Sequence, residues 1–544
     1  MRSRGLAEGT AVVLGAVALT AVLTYPLAFQ FDRIGRVNTD DGRWSIWVVS
    51  WVAHALTTDP AGVYQANIFY PQRNALAFSE ANLVEGAIAA PVWAATKNPY
   101  ATHNFAAFVS FVIAFVGTYY LARYLTGSRG GAIVAAILYA FSPFTFARTA
   151  HIQLLYTGGL PFCLLAFHRL ADRPTASRAL ALGVALWLQA LACAYYGIFA
   201  GLMVGLATLV VAVTRDRWRD REYWVAIGLA AFVSVGLTVP FFLPYLIVQR
   251  DAGFARTLDD ARMYSADAAA WVASAAWAHR WWLPLIEPFN EVLFPGIVAL
   301  VLGIAGLAMA WRQTATRELA LIYGLTALLS IWLSFGPDGG LYTLFYRTIP
   351  IFTFLRAPAR IGIVVVLCLT VGAAVAMKGW LAGRRNHVAW TGAIALLATV
   401  ELLQAPLTAL RPVEPFPDAY RTLAVQPPGP VAEFPYFYQR SDFPRHAYYM
   451  LNSVTHWMPL VNGYSDHIPQ EFRDQVRPLS SFPTREAFQI LGKVGARYVM
   501  FHLNLYDSRS RQRLLERLDT YRAYLRPLVQ EGDVWLFEIV GFPN

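Results

Sequence analysis

The sequence predicts a polytopic α-helical membrane protein of about eleven transmembrane helices, ending in a C-terminal extracytoplasmic α/β domain. Three observations carry this. The 544 residues are 57% hydrophobic and only 14% charged, with a mean hydropathy of +0.42, which no ordinary soluble domain of this length shows. Apolar runs long enough to cross a bilayer recur from residue 10 to residue 405. Short Arg-bearing loops alternate with long connections, as the positive-inside rule requires.

Arg2 and Arg4 precede the first run, Thr10 to Phe29. It is long enough to span, ends without a small-residue cleavage site and is followed by many further spans, so it reads as an anchor and not a cleaved signal. Further spans are expected near 103–122, 131–147, 152–168, 179–195, 197–213, 224–246, 292–311, 318–335, 360–381 and 388–405. The segment Glu80 to Thr96 is apolar but carries Glu80 and Glu85. Counting it as a span would move every later Arg loop outside, so it is read as a juxtamembrane or re-entrant helix. With that choice Arg123/Arg129, Arg169/Arg173/Arg178, Arg215/Arg217/Arg219/Arg221, Arg312/Arg317 and Lys378/Arg384/Arg385 share the cytoplasmic side with Arg2/Arg4.

The outer face then receives the loops 30–102 and 247–290, the stretch 336–359 and everything after about 406. In the first loop, Trp44, Trp47 and Trp51 with Ile46 and Val48 read as an amphipathic helix lying in the interface, and 264–283 as a second one. A Pro-rich linker from Arg411-Pro412 to Pro417 divides a transmembrane domain, 1–410, from a soluble extracytoplasmic domain, 411–544. Within the latter, Val431 to Phe434, Arg497 to His502 and Val534 to Ile539 read as buried strands, with helices near 485–494 and 508–521.

The net charge of +10 comes largely from Arg in short loops, which points to anionic lipid and not to nucleic acid. Cys163, Cys193 and Cys368 lie in apolar stretches, where Cys behaves as a small hydrophobe, and neither a disulfide framework nor a zinc motif is present.

The feature richest in chemistry is Asp40-Asp41, in Asn38-Thr39-Asp40-Asp41-Gly42 just beyond the first span. A carboxylate beside hydrocarbon is costly, so two at the membrane rim imply a use for charge there. The plain alternative is a helix cap ahead of Trp44.

Other segments extend the pattern: Asp41 followed by Trp44, Trp47 and Trp51; Ala66-Asn67-Ile68-Phe69-Tyr70-Pro71; Ser79-Glu80; Phe141-Ser142-Pro143 with His151; Arg356-Ala357-Pro358-Ala359-Arg360; and His456-Trp457 with Val461-Asn462-Gly463-Tyr464-Ser465. On these segments the chain resembles the GT-C superfamily of membrane glycosyltransferases, in a bacterial, polyprenyl-phosphate-sugar-dependent subgroup. The resemblance implies inverting transfer of a hexosyl or pentosyl group from a polyprenyl phosphate carrier to a glycan, lipid or protein acceptor. The place implied is the outer face of a bacterial cytoplasmic membrane, in a multi-pass protein with a cytoplasmic N-terminus. It implies Asp41 as general base with Asp40 as its charged neighbour. Either could be the base, and on an extended strand only one of the two would face the site. A phosphate-linked sugar already has a good leaving group, so a single carboxylate base suffices. The paired carboxylates of retaining glycosidases are not needed. The sequence requires no cofactor; a divalent metal, Mg or Mn, is compatible with the superfamily, although no third carboxylate accompanies the Asp pair.

For the carrier phosphate the first choice is Arg356 with Arg360, one helical turn apart, since guanidinium groups bind phosphate oxygens in bidentate fashion. Arg148 with His151 forms a second pair. Glu80 is a candidate for orienting the acceptor, or a first-turn helix carboxylate; His54 and Glu85 are lesser candidates. His279 and Arg280, with Trp281 and Trp282, could line a substrate entrance or serve as an aromatic belt. In the C-terminal part His456, Trp457, Asn462 and Tyr464, with Asp466 and His467, form a cluster suited to glycan stacking and hydrogen bonding, or to a turn built on Asn-Gly. Three other function classes compete. A flippase or transporter needs ionisable groups inside spans, where Glu401 is the main exception to their absence. A non-catalytic glycan-binding membrane protein needs none of the acid chemistry. A polymerase or ligase would rest on Arg256, Arg262 and His279.

Overall fold

The computed structural model describes residues 2–252 and 256–543. Among them, seven helices are long and apolar enough to cross a membrane: Gly5–Leu23, Pro99–Thr126, Arg129–Ala147, Ala194–Thr214, Arg221–Asp251, Thr314–Ser334 and Pro358–Leu381. Three more of the expected spans coincide with shorter apolar helices, Ala176–Ala192, Ile297–Arg312 and His387–Glu401. The stretch near 152–168 gives the 14-residue helix Gly159–Asp172. The protein is a mostly helical, multi-pass membrane protein.

Two compact units divide the chain, one of residues 1–30, 105–243 and 255–408, the other of 31–104, 244–254 and 409–544. In the first unit Pro358–Leu381 is the central helix, 89% buried over its apolar window, whereas Arg221–Asp251 is 11% buried and presents its side chains outward. Small residues let the centre close. A Cβ on Gly306 would stand 1.7 Å from the carbonyl oxygen of Gly372, so Ile297–Arg312 and Gly362–Leu381 touch backbone to backbone, as membrane helices do through small residues. Several of the loop arginines are held by carboxylates: Arg215 lies 2.9 Å from Asp172 and 2.7 Å from Glu318, and Arg129 2.6 Å from Glu8.

The second unit is built on a four-stranded sheet. Strands β1 (Val431–Phe434), β2 (Tyr498–His502), β3 (Leu525–Glu531) and β4 (Val534–Ile539) lie in the order β1-β2-β4-β3, the first pair parallel and the others antiparallel. Every residue of β1 and β2 is buried, which is why they read as apolar runs. The sequence reading missed β3, whose Pro527 and charged residues suit an edge. Beyond β1 the sheet continues through irregular chain. Val461 N–H donates to the Val431 carbonyl (2.8 Å), Leu460 N–H to that of Asn67 (2.8 Å), and Phe69 N–H to that of Asn462 (3.0 Å). Residues 67–70 of the first loop thus run along 459–462, which run along β1. Ile34–Gly35 pairs antiparallel with Arg411–Pro412, so the stretch 411–544 shares its unit with the first loop.

Candidate functional site

Asp40 and Asp41 open the helix Asp40–Thr58. Thr39 caps it, its hydroxyl accepting the Gly42 N–H at 3.2 Å, and the first turn favours carboxylates because the helix dipole is positive there. The expectation of an extended strand is therefore corrected: on a helix, consecutive side chains diverge by about 100° instead of pointing oppositely. Their partners differ. Asp40 is paired with Arg43 at 2.7 Å, one turn along, and the Arg43 guanidinium lies 5.9 Å from the Tyr448 ring. Asp41 Oδ1 accepts the Tyr464 hydroxyl at 3.3 Å. Gly42 is required beside them, since a Cβ there would stand 2.0 Å from the Arg36 carbonyl oxygen.

The tryptophans that suggested an interfacial helix are largely packing residues. Trp44 and Trp47 are buried, with Ile46, Val48 and Val49. Trp47 donates to Asn67 Oδ1 at 3.3 Å, and Trp51 to the Val63 carbonyl at 2.8 Å. Hydropathy alone does not distinguish an apolar face buried in protein from one buried in lipid. On the same helix Ser45 bonds His103 Nε2 at 3.1 Å, while Asn104 Nδ2 donates to the carbonyls of Phe31 and Ile34. His103 and Asn104 were not anticipated; a polar trio, Thr102-His103-Asn104, heading an apolar run was the available signal.

The segment Glu80 to Thr96 contains the helix Leu83–Thr96. It packs against the Asp40 helix closely enough that a Cβ on Gly86 would stand 2.3 Å from Val52 Cγ1. Glu85 on this helix is fully buried, and neither carboxyl oxygen has a hydrogen-bond partner among the described residues. Burial, with the nearby charge of Glu80 adding to it, holds its pKa well above the usual carboxylate range. Glu80 itself is half-buried. His54 stacks on Trp457 (4.8 Å, 11°), with Trp51 and Trp93 edge-on to Trp457 at 5.5 and 5.7 Å. Burial and then the Lys97 ammonium lower the His54 pKa.

In the C-terminal part of this unit Asn462 is taken up by structure. Its amide accepts the Glu433 N–H (2.7 Å) and donates to the Glu433 carbonyl (2.9 Å), which leaves it out of reach of a glycan. His456 stacks on Tyr420, and its Nδ1 accepts the Met458 N–H. Trp457 and Tyr464 remain half-buried.

In the first unit the dipeptide Tyr195-Tyr196, absent from the sequence reading, organises the cationic candidates. Arg356 N–H donates to the Tyr195 hydroxyl at 2.9 Å, and the Arg360 guanidinium lies 4.5 Å over the same ring. Arg356 sits 5.2 Å over Tyr264. Tyr196 is within electrostatic reach of both Arg148 and Arg360. Arg148 lies over Phe144 and is 2.6 Å from Glu291; the N–H of His151 donates to the Arg148 carbonyl. Adjoining apolar crevices share Phe199, Leu333 and Ile361, one running on to Met203 and Val364, the other to Leu355 and Pro358 beside the Arg pair.

His279 does not line an entrance. It is buried, with Nδ1 2.7 Å from Ser274 Oγ and Nε2 3.1 Å from Glu401 Oε1. Glu401 also accepts the N–H groups of Ile297 and Val298. The ionisable residue that a transporter would need is therefore a cap on the helix Ile297–Arg312. Arg280 is exposed and lies 3.6 Å over Trp277, and Arg262 pairs with Asp338 and Asp259. The three cysteines are buried and form no disulfide among the described residues. No group of three or more His, Cys, Asp or Glu able to hold a metal ion occurs among the described residues.

No protein-family model and no curated protein matches the chain. Solved structures do. Arabinofuranosyltransferase AftD from Mycobacteria is similar over 99% of this chain and 42% of that chain, with a TM-score of 0.59 and 16% identity. ArnT from Cupriavidus metallidurans in the apo state matches over 99% of this chain and 98% of its own, with a TM-score of 0.51 and 15% identity. The same protein bound to undecaprenyl phosphate gives 0.50, at 15% identity and the same coverage. This chain thus spans less than half of the arabinofuranosyltransferase and nearly all of ArnT. With its apolar helices, the chain has the fold of the solved AftD and ArnT structures, in keeping with the fold that its resemblance to the GT-C superfamily implies.

Proposed function

We propose that this protein is an inverting glycosyltransferase, moving a sugar from a polyprenyl phosphate carrier to an acceptor at the outer face of a bacterial cytoplasmic membrane. The observation that carries the reading is the Tyr464 hydroxyl, which donates to Asp41 Oδ1 and orients that carboxylate. Asp40 bonds Arg43 one turn along its own helix. Asp41 is therefore the base, and Asp40 with Arg43 fixes the turn that presents it.

Asp41 takes the proton of the acceptor hydroxyl or amine as that atom attacks the anomeric carbon. The bond from that carbon to the phosphate oxygen breaks in the same displacement. The electron pair leaves with the carrier phosphate, and configuration inverts. Arg356 and Arg360 bind that phosphate. ArnT has been solved with undecaprenyl phosphate, which supports a carrier of this class. Glu80 orients the acceptor, and Trp457 and Tyr464 offer aromatic surface for a glycan. No step here is assigned to a metal.

The wider reading holds eleven spans, a cytoplasmic N-terminus and a C-terminal α/β domain, 411–544, outside the cytoplasmic membrane. The transferred group is a hexosyl or pentosyl unit, and the acceptor a glycan, lipid or protein. The test uses full-length protein in lipid, radiolabelled polyprenyl-phosphate sugars and a host membrane extract. Transfer by wild type, abolished in Asp41→Asn with carrier binding intact, is the expected result. Absence of transfer from every carrier, or full activity in both Asp41→Asn and Asp40→Asn, would overturn it.

A further inference from the structure

The Arg148–Glu291 ion pair is unlike the other arginine contacts of the first unit. Both side chains are largely buried, at 12% and 13% exposure, with Nη2 and Oε2 2.6 Å apart. Yet Nε and Nη2 of Arg148 lack a hydrogen bond of good geometry among the described residues, so Glu291 meets the charge of this fork without filling its donors. The guanidinium is backed on one side by the Phe144 ring, 4.8 Å away. Arg148 shares with Arg360 electrostatic reach of Tyr196, and Arg360 lies over the ring of Tyr195, whose hydroxyl accepts the backbone N–H of Arg356. The guanidinium groups of Arg148 and Arg360 therefore gather around one Tyr-Tyr dipeptide, and that of Arg148 is paired with Glu291.

The segment that supplies this anion is irregular and unevenly fastened. Leu293 and Phe294 are buried, and their N–H groups donate to the carbonyls of Ala270 and Ala273. Glu287, Pro288 and Asn290 are exposed. Glu291 stands at the boundary, and its carboxylate ties the exposed part down to Arg148.

We propose that Glu291 is a displaceable stand-in for the carrier phosphate, an internal anion that keeps Arg148 paired until a phosphate takes its place. This rests on the reading that the cluster binds carrier phosphate. A phosphate offers more oxygens and more charge than a carboxylate, and can satisfy the donors that Glu291 leaves open. Arg148 is never left buried and unpaired during the exchange, while the released Glu291 moves into water with residues 287–290. The occupant thereby sets a threshold. Carrier affinity is the difference between phosphate on Arg148 and Glu291 on Arg148, so a group too weakly charged to displace the carboxylate gains nothing from this arginine.

Two measurements on full-length protein in nanodiscs test this, with a short-chain polyprenyl monophosphate as the probe. Removing the competing charge in Glu291→Gln should tighten binding by about tenfold, and Arg148→Gln should weaken it, an effect typical of coupling between two sites. In an otherwise wild-type background, a spin label on Asn290→Cys should become more mobile when the probe is added; the native cysteines are buried. Unchanged or weaker binding in Glu291→Gln, from protein that elutes and melts like wild type, would overturn the proposal. So would a label at 290 that does not respond while wild type binds, which needs no stable Glu291 variant. If wild type and every variant bind no polyprenyl phosphate, the carrier reading itself falls, a result distinguishable from failure of the exchange alone.

Discussion

The Tyr464 hydroxyl donates a hydrogen bond to Asp41 Oδ1, at 3.3 Å, from 423 positions further along the chain. One phenol thus helps to set the orientation of a carboxylate on a distant helix. Tyr464→Phe keeps the ring and removes the donor. A hydrogen bond to a charged carboxylate is worth about 1.5–3 kcal/mol, so kcat should fall about 10- to 100-fold with the KM for the carrier unchanged, read from initial rates over a range of donor concentrations.

Asp40 and Asp41 should separate kinetically. Loss of a general base costs about 10²- to 10⁴-fold, the drop expected for Asp41→Asn. Asp40→Asn removes only the partner of Arg43 and should retain activity within about tenfold of wild type, the worth of a partly exposed ion pair or less. Rates of equal size in the two variants would refute the assignment of roles.

Arg356 and Arg360 should act on the carrier rather than on the acceptor. A hydrogen bond to a charged group is worth about 1.5–3 kcal/mol, so Arg356→Ala should raise the carrier KM about 10- to 100-fold. Lysine, a point charge without the guanidinium fork, should rescue only part of it. Varying donor and acceptor separately distinguishes this from general damage.

Glu401 should prove structural. Its carboxylate caps Ile297–Arg312 and pairs with the buried His279. Glu401→Ala should cost about 2–4 kcal/mol, seen as a lower melting midpoint in detergent. A variant that melts like wild type but is inactive would give Glu401 a mechanistic role instead.

Acid should loosen the second unit. His446 is fully buried, and burial pushes its pKa down to about 3 from the ordinary 6.5. The unfolded chain therefore binds the proton first as pH falls, and stability rises with pH through this window. The contribution is whole above about 6.5 and is lost progressively as pH falls toward 3. At pH 4.5 the loss is on the order of 2–3 kcal/mol. Protection factors across 431–502, each exchange rate being referred to the intrinsic rate at its own pH, should be lower at pH 4.5 than at pH 7, and His446→Gln should flatten that difference.

What was legible in the sequence was local. Buried strands such as Val431–Phe434 and long apolar helices such as Pro358–Leu381 announce themselves by composition, because every side chain in them meets the same solvent. The segment Asn38 to Gly42 also offered a helix cap ahead of Trp44 as the plain alternative, and Thr39 serves as that cap. What was not legible was pairing over distance. Glu291 is an unremarkable acid in a loop, and Tyr195 an aromatic near a span end. His279 looked like an interfacial residue because its partner, Glu401, lies 122 positions away. The tryptophans of the Asp40 helix misled for a related reason, since their stripe fits lipid and protein equally.

The sheet that reaches from β1 through 459–462 to residues 67–70 also sets a timetable. Asp41 receives the Tyr464 hydroxyl only after a further 423 residues have been made, about 20 seconds or more later at ordinary translation speeds. Throughout that interval the nascent chain lacks this donor, and the proposed base is not yet set. Termination between the two residues leaves Asp41 without it. A residue translated late thus completes the setting of one translated early.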